Sequence, residues 1–379
     1  MITSTIGILS SMSKSKPFSF TLTVAENDTI TIPHSDDPNY IHDYDIDYGD
    51  GSVILHVSSY NDPNTTHTYT VAGTYQIKIN GVCETFSMNF DTTDLTSKII
   101  SVDSWGVTGN FKVLSFYNGN YDAGCYNLLT LPNENGKLIN VESFSYTFGY
   151  CESLTIIPSG LFDNNFNANF FYTFFYCTSL TTIPSGLFNS NINVTDFSWT
   201  FGLCTSLTTI PSVLFDNNIN VTSFASTFRG CKSLTSIPSG LFDNNINVTN
   251  FNSTFYSCRS LTAIPSGLFD NNFNANFFYT FSHCISLATI PTGLFDNNIN
   301  TRSFNSTFET CTSLTTIPTG LFDYNINVTD FRWTFGYCTS LTGLAPELWL
   351  RTNPMPDGSA CFRDDTNLSN YSSIPSNWK

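Results

Sequence analysis

Cysteine recurs at positions 125, 151, 177, 204, 231, 258, 284, 311 and 338, and every gap is 26 or 27 residues. A fixed period of that length is the signature of a stacked repeat, and it excludes most other ways of folding the chain. Around each cysteine runs one template, Phe-x-x-x-Phe-x-x-Cys-x-x-Leu-x-x-Ile-Pro-x-x-Leu-Phe-Asp-Asn-Asn. One copy reads Phe224, Phe228, Cys231, Leu234, Ile237, Pro238, Leu241, Phe242 and Asp243. A single coil of this kind cannot bury its own apolar face, so equivalent residues must stack from coil to coil.

Each segment of the template has a local reading. Phe224, Phe228 and Cys231 stand at i, i+4 and i+7, which predicts one face of a short helix, with Thr222 as its N-cap. Leu234 to Ile237 predicts a brief strand ended by Pro238, which lacks the ladder N–H. Leu241 and Phe242 turn inward before an Asn-rich turn, where Asn tolerates left-handed backbone angles. The expected fold is a leucine-rich-repeat-like solenoid with a short strand and a short helix per coil. Leu154, Leu180, Leu207, Leu234, Leu261, Leu287, Leu314 and Leu341 should then form one buried row.

The TF-x-x-C-x-SLT-x-IP-x-GLFD blocks between about Phe144 and Leu344 resemble the BspA-like leucine-rich repeat surface proteins of bacteria and their viruses. The opening IISVDSWG (Ile99–Gly106) and the closing NLSNYSSIPSNW (Asn367–Trp378) resemble the terminal repeats of that family. The resemblance implies a solenoid and a surface-binding role, but no particular ligand. Residues 17–90 depart from the repeat and alternate in strand fashion (FSFTLTV, ITI, SVILHV, TYQIKI). The blocks Tyr44–Gly51 and Thr66–Ile79 resemble a PKD-type immunoglobulin-like domain, which implies a small all-β sandwich used as a spacer or adhesive module. The expected organisation is a tail (1–16), this sandwich (17–90), a connector and N-terminal cap (91–124), the solenoid (125–344) and a C-terminal cap (345–379). Asp43, Asp45, Asp47 and Asp50 read as turn caps, with a Ca²⁺ site as the alternative that hard oxygen ligands permit.

Charge narrows the partners. With 14 basic against 30 acidic residues, and a net charge of -16, the chain lacks the clustered Lys and Arg that nucleic acid demands. No run of 18 apolar residues occurs, so membrane insertion is not expected. The N-terminus does not read as a signal peptide, because its apolar stretch is short and Lys14 and Lys16 follow it. Either the chain folds in a reducing compartment, or an export signal has been removed.

Chemistry finds little footing. Eleven cysteines contain no CxxC pair, so the expectation is no metal and free, buried thiols acting as small apolar residues. Four of the five histidines fall in the N-terminal module, and His283 stands beside Cys284. Asp163, Asp216, Asp243, Asp270, Asp296 and Asp323 repeat with the coil; a turn-capping row explains them without glycosidase-type work. No cofactor motif appears, and the chain is expected not to be an enzyme.

Differences between coils point to a binding face. From Cys151 onward the Thr four residues after each Cys barely varies (Ala288 is the exception), which reads as scaffold. Five residues before each of these eight cysteines stand Tyr146, Tyr172, Trp199, Ser226, Ser253, Tyr279, Ser306 and Trp333; next to it stand Tyr150, Tyr176, Leu203, Gly230, Ser257, His283, Thr310 and Tyr337. Tyr146, Tyr172, Trp199, Tyr279 and Trp333 are the ligand-contact candidates, since a helix would turn them away from the core; packing along the convex side is the competing reading. The segment LFDNNFNANFFYTF occurs at 161–174 and again at 268–281, which suggests copying between coils. The function expected is recognition at a surface, of a host glycan or protein. The carrier is a bacteriophage virion protein (head or tail fibre, or decoration), with contacts to other virion proteins through the N-terminal module. A bacterial cell-surface adhesin is the alternative, and a glycan-active enzyme a minor one.

Overall fold

The computed structural model describes residues 16–107, 109–119 and 123–379; the expected tail falls almost wholly outside them. The repeats stack as a solenoid. Leu154, Leu180, Leu207, Leu234, Leu261, Leu287, Leu314 and Leu341 are all fully buried, as are the paired phenylalanines and the cysteines of every coil. Like side chains lie on like: the rings of Phe201 and Phe228 are 5.8 Å apart at 5°, and Phe228 meets Phe255 at 5.8 Å and 8°. Phe242 tilts across Phe224 at 4.7 Å and 43°, locking two rows together.

The expected helix does not form; among the described residues there is no α-helix at all. Its place is taken by consecutive tight turns. The N–H groups of Phe224, Ser226, Phe228 and Gly230 donate to the carbonyls of Asn250, Asn252, Thr254 and Tyr256 in the next coil. The intervening N–H groups of Thr227, Arg229 and Cys231 close turns onto Phe224, Ser226 and Phe228. Alternate amides thus serve the stack and the turn, and these donors are satisfied without a helix. The strand shrinks likewise to isolated parallel bridges such as Ile156–Thr182 and Ala263–Thr289. Thr222 is no N-cap: its hydroxyl donates to the Thr195 carbonyl at 3.1 Å, in the preceding coil.

Polar side chains in the core repeat the same service. Thr227 Oγ1 lies 3.0 Å from the Phe197 carbonyl and 2.7 Å from that of Phe224. Asn245 Nδ2 donates to the carbonyls of Phe215 (3.1 Å) and Asn218 (2.9 Å), and the same pair of bonds recurs at Asn165, Asn191, Asn218, Asn298 and Asn325, while Asn272 donates to the Asn245 carbonyl. After the last of these, the Arg351 guanidinium takes over, donating to the carbonyls of Phe322 and Asn325.

All eleven cysteines are reduced and buried. The repeat thiols do more than fill space: Cys231 Sγ donates to the Phe201 carbonyl at 3.3 Å, and Cys258 to Phe228 at 3.2 Å. Burial raises the pKa of Cys231 and Cys258 well above the usual range, and that of Cys284 to about 12. Native protein should therefore be inert to a thiol reagent and release close to eleven thiols on denaturation without reductant. Recovery of paired disulfides would contradict this arrangement.

The N-terminal module contains a five-stranded antiparallel sheet in the order β4-β3-β6-β1-β8. Its strands are β1 (Phe18–Val24), β3 (His42–Asp47), β4 (Leu55–Val57), β6 (Gly73–Cys83) and β8 (Ile99–Trp105). A ribbon of β2 (Thr29–Thr31) with β5 (Thr66–Thr68) and a parallel pair of β7 (Thr85–Ser87) with β9 (Val113–Ser115) accompany it. Alternation works as expected: Phe18, Phe20, Leu22 and Val24 are buried. The segment 91–124, expected as connector and cap, supplies β8 to this sheet. On its other side β8 bridges the first coil, with Val102 N–H donating to Thr130 O (3.0 Å) and Leu129 N–H to Ile100 O (2.8 Å). One apolar core runs unbroken from Phe18 to Trp378.

Candidate functional site

The two variable positions of the repeat share a backbone property that the sequence did not disclose. All sixteen residues at them have positive φ, from 54° at Ser306 to 72° at Gly230. Left-handed backbone costs an ordinary residue roughly 1–2 kcal/mol, yet Gly occurs once and bulky rings fill many of these places. The outward placement foreseen for Tyr146, Tyr172, Trp199, Tyr279 and Trp333 thus has a different cause: a turn residue in left-handed conformation, not an offset on a helix.

These rings are half-buried, and they pack on one another. Tyr117, Tyr146, Tyr172 and Trp199 form a stack with spacings of 5.0, 4.6 and 5.2 Å, at angles below 20°. Phe175 meets Tyr150, Tyr172 and Trp199 edge-on. The Arg229 guanidinium then lies 5.3 Å from the Trp199 ring and 4.1 Å from that of Tyr256. Tyr256 in turn approaches Tyr279 and His283. Burial and the nearby cations Arg259 and Arg229 lower the His283 pKa, against the pull of Glu309. The series breaks at Ser306 and Thr310 and resumes with Trp333 and Tyr337, beneath Arg363. These rings therefore gain from packing on one another. The structure brings Tyr146, Tyr172 and Trp199 together, Tyr279 joins them through Arg229 and Tyr256, and Trp333 stands apart.

Other rows are exposed as well. Thr182, Thr209, Ser236, Thr289 and Thr316 face solvent, and Thr208 Oγ1 donates to Thr181 O at 3.3 Å, as a scaffold row should. One row went unnoticed in the sequence: Ile139, Phe166, Ile192, Ile219, Ile246, Phe273, Ile299 and Ile326 occupy one place in eight coils, each 40–65% exposed. The signal was an apolar residue held constant inside an otherwise polar Asn-rich turn. In the aspartate row, the Asp270 pKa is raised by partial burial and then by Asp243 and Asp296 beside it.

The N-terminal aspartates do not converge. Asp43 and Asp45 flank His56 (3.5 and 3.0 Å), whereas Asp47 accepts from Gly49 N–H. Asp50 accepts from Ser52 N–H and pairs with His67; partial burial opposes its ionisation, but those partners hold it at about 2. These roles are turn capping and local pairing.

No family model matches the chain, and no curated protein matches it. Among solved structures, the Toll–Spatzle complex of Drosophila is similar over 64% of this chain and 32% of that one, at 19% identity and a TM-score of 0.26. A TLR13–ssRNA13 complex is similar over 68% of this chain and 45% of that one, at 14% identity and a TM-score of 0.18. The chain thus spans under half the length of either. The coils themselves define this protein as a repeat solenoid. Among the described residues, no helix is long and apolar enough to cross a membrane.

Proposed function

We propose that the chain is a non-enzymatic recognition protein that presents its ring-bearing turns to a host-surface glycan or protein. The observation that carries this reading is the placement of Tyr and Trp on left-handed backbone in coil after coil, where Gly would relieve the strain. Their faces are spent on one another, so a ligand meets ring edges and the intervening Arg229. The Thr and Asn side chains inside the coils donate to carbonyls of neighbouring coils, a structural use that supports this reading. The finer assignment is a BspA-like repeat behind a PKD-type sandwich, carried on a bacteriophage head or tail fibre or as a decoration protein. The absence of basic clusters argues against nucleic acid. A bacterial cell-surface adhesin is the second reading, favoured by the family resemblance of the repeats.

Alanine at both Trp199 and Trp333 tests this. Binding to a glycan array or to whole bacteria should fall at least tenfold, as for interface anchors. Because Trp199 stacks on Tyr172 and Arg229, its loss should also cost about 1–2 kcal/mol of stability, more than a bare surface ring. Unchanged binding by the folded double variant would move the interface elsewhere. Loss on Ile219→Asp or Ile246→Asp would then place it on the exposed isoleucine row.

A further inference from the structure

We propose that the N-terminal module binds one divalent ion of the zinc class through His34, His42 and Cys83. A ring nitrogen of each histidine and the Cys83 sulfur lie within 4.8 Å of one another, and all three residues are buried. The fold builds this meeting directly: His42 opens β3 opposite Cys83 at the end of β6, and His34 packs its ring 4.0 Å from that of His42. Nothing in the spacing of the sequence announces it, since the three come from separate segments.

The surrounding bonds suit a metal. His34 Nδ1 lies 2.8 Å from the Thr85 carbonyl, so this nitrogen carries the proton and its Nε2 lone pair points inward. A ligating imidazole is oriented in the same way, its far N–H on a carbonyl. That lone pair meets the Tyr44 hydroxyl at 2.7 Å, which makes the phenol the group to be displaced or to supply the fourth position. His42 Nε2 lies 3.3 Å from Thr85 Oγ1, and His42 Nδ1 is buried with no hydrogen-bond partner. An orphaned buried nitrogen is costly, and coordination would remove the cost.

Two imidazoles and a thiolate match zinc better than a hard cation. Tetrahedral Zn–N and Zn–S bonds place ligand atoms about 3.3–3.7 Å apart, so closure of roughly an ångström completes the set. Glu84 adds negative charge beside His42 while its carboxylate stays held by Lys112 (2.7 Å) and Ile41 N–H (2.9 Å). A cleft of about 490 Å³ lined by Pro38, Tyr40, Ile41, His56 and Tyr60 reaches His42 and offers an entry path. Binding releases the Cys83 thiol proton to solvent, so uptake should strengthen as pH rises.

The full chain, freed of metal and titrated with Zn²⁺ alone, should take up one equivalent and melt at a higher temperature. Loaded with Co²⁺, it should show thiolate charge-transfer absorption and the visible bands of a tetrahedral site. Cys83→Ala should abolish both signals, and His42→Gln should weaken uptake at least tenfold. Cys258→Ala, in the solenoid, should leave uptake intact. If Cys83→Ala does not fold, His42→Gln decides alone. No uptake at micromolar free Zn²⁺, or uptake that survives in either folded variant, would overturn the assignment.

Discussion

Replacing Asn245 by alanine should lower the stability of the solenoid by about 2–4 kcal/mol, although the side chain touches no ligand. Its Nδ2 donates to two buried carbonyls, those of Phe215 and Asn218, which also accept from Asn218 N–H and Val221 N–H within their own coil. Alanine therefore removes the two bonds that cross between coils, at about 0.5–1.5 kcal/mol each, and leaves a cavity in their place. A mid-stack lesion also weakens both neighbouring interfaces, which in a repeat array carry much of the stability. Aspartate there should be worse still, since it turns an acceptor towards acceptors. Adjacent Asn244 provides the control: it is exposed and donates only to the Asp216 carbonyl at 3.3 Å, so alanine there should cost within about 0.5 kcal/mol. Urea unfolding of the two variants measures the contrast. Equal effects would show that the buried asparagines are not what ties the coils.

The second large effect is a pH dependence seated at the end of the stack. In the last coil Phe362 stacks on Phe335, which puts Asp365 where every preceding coil has its cysteine. Asp365 is fully buried and neither oxygen has a hydrogen-bond partner. Burial raises its pKa to about 8, with Asp364 adding to the rise and the Cys338 backbone opposing it. The folded state therefore keeps a proton that the unfolded chain loses near pH 4. Between those values the unfolded state binds fewer protons, so this residue's contribution to stability falls as pH rises and levels off above pH 8. His34, lowered to about 3, and His42 act in the opposite sense, losing stability as pH drops below about 6.5. The difference between wild type and Asp365→Asn isolates the carboxyl. The variant should gain on wild type steadily from pH 5 to 8, and parallel curves would refute the assignment.

How much of this was written in the sequence depends on the residue. The buried rows followed from period alone, because equivalent positions in a stack must meet. The helix did not, since an i, i+4, i+7 apolar pattern is also produced by successive turns with left-handed residues between the apolar ones. A hint lay in what fills those places: Tyr, Trp, Ser, Gly, His and one Leu, with Thr310 alone β-branched and no Val or Ile, which left-handed backbone disfavours most strongly. Tyr146, Tyr172 and Trp199 were recognisable as a variable outward set, but not as a stack, because ring contacts between coils depend on orientation. Ile99–Trp105 was legible as the opening of the repeats, and its second role as a sheet strand was hidden by serving both at once.

That doubly used strand decides how the molecule carries load. β8 is held along one edge by β1, from Phe18 opposite Trp105 to Leu22 opposite Ile99, and along the other by the first coil. A flexible tether would let the solenoid swivel and would dissipate a pull as rotation. Here a pull applied to the coils runs into β8 and must shear several backbone hydrogen bonds at once before the two parts separate. Such a joint transmits torque as well as tension, so an object fixed to the N-terminal module would feel the direction, and not merely the presence, of whatever the coils hold.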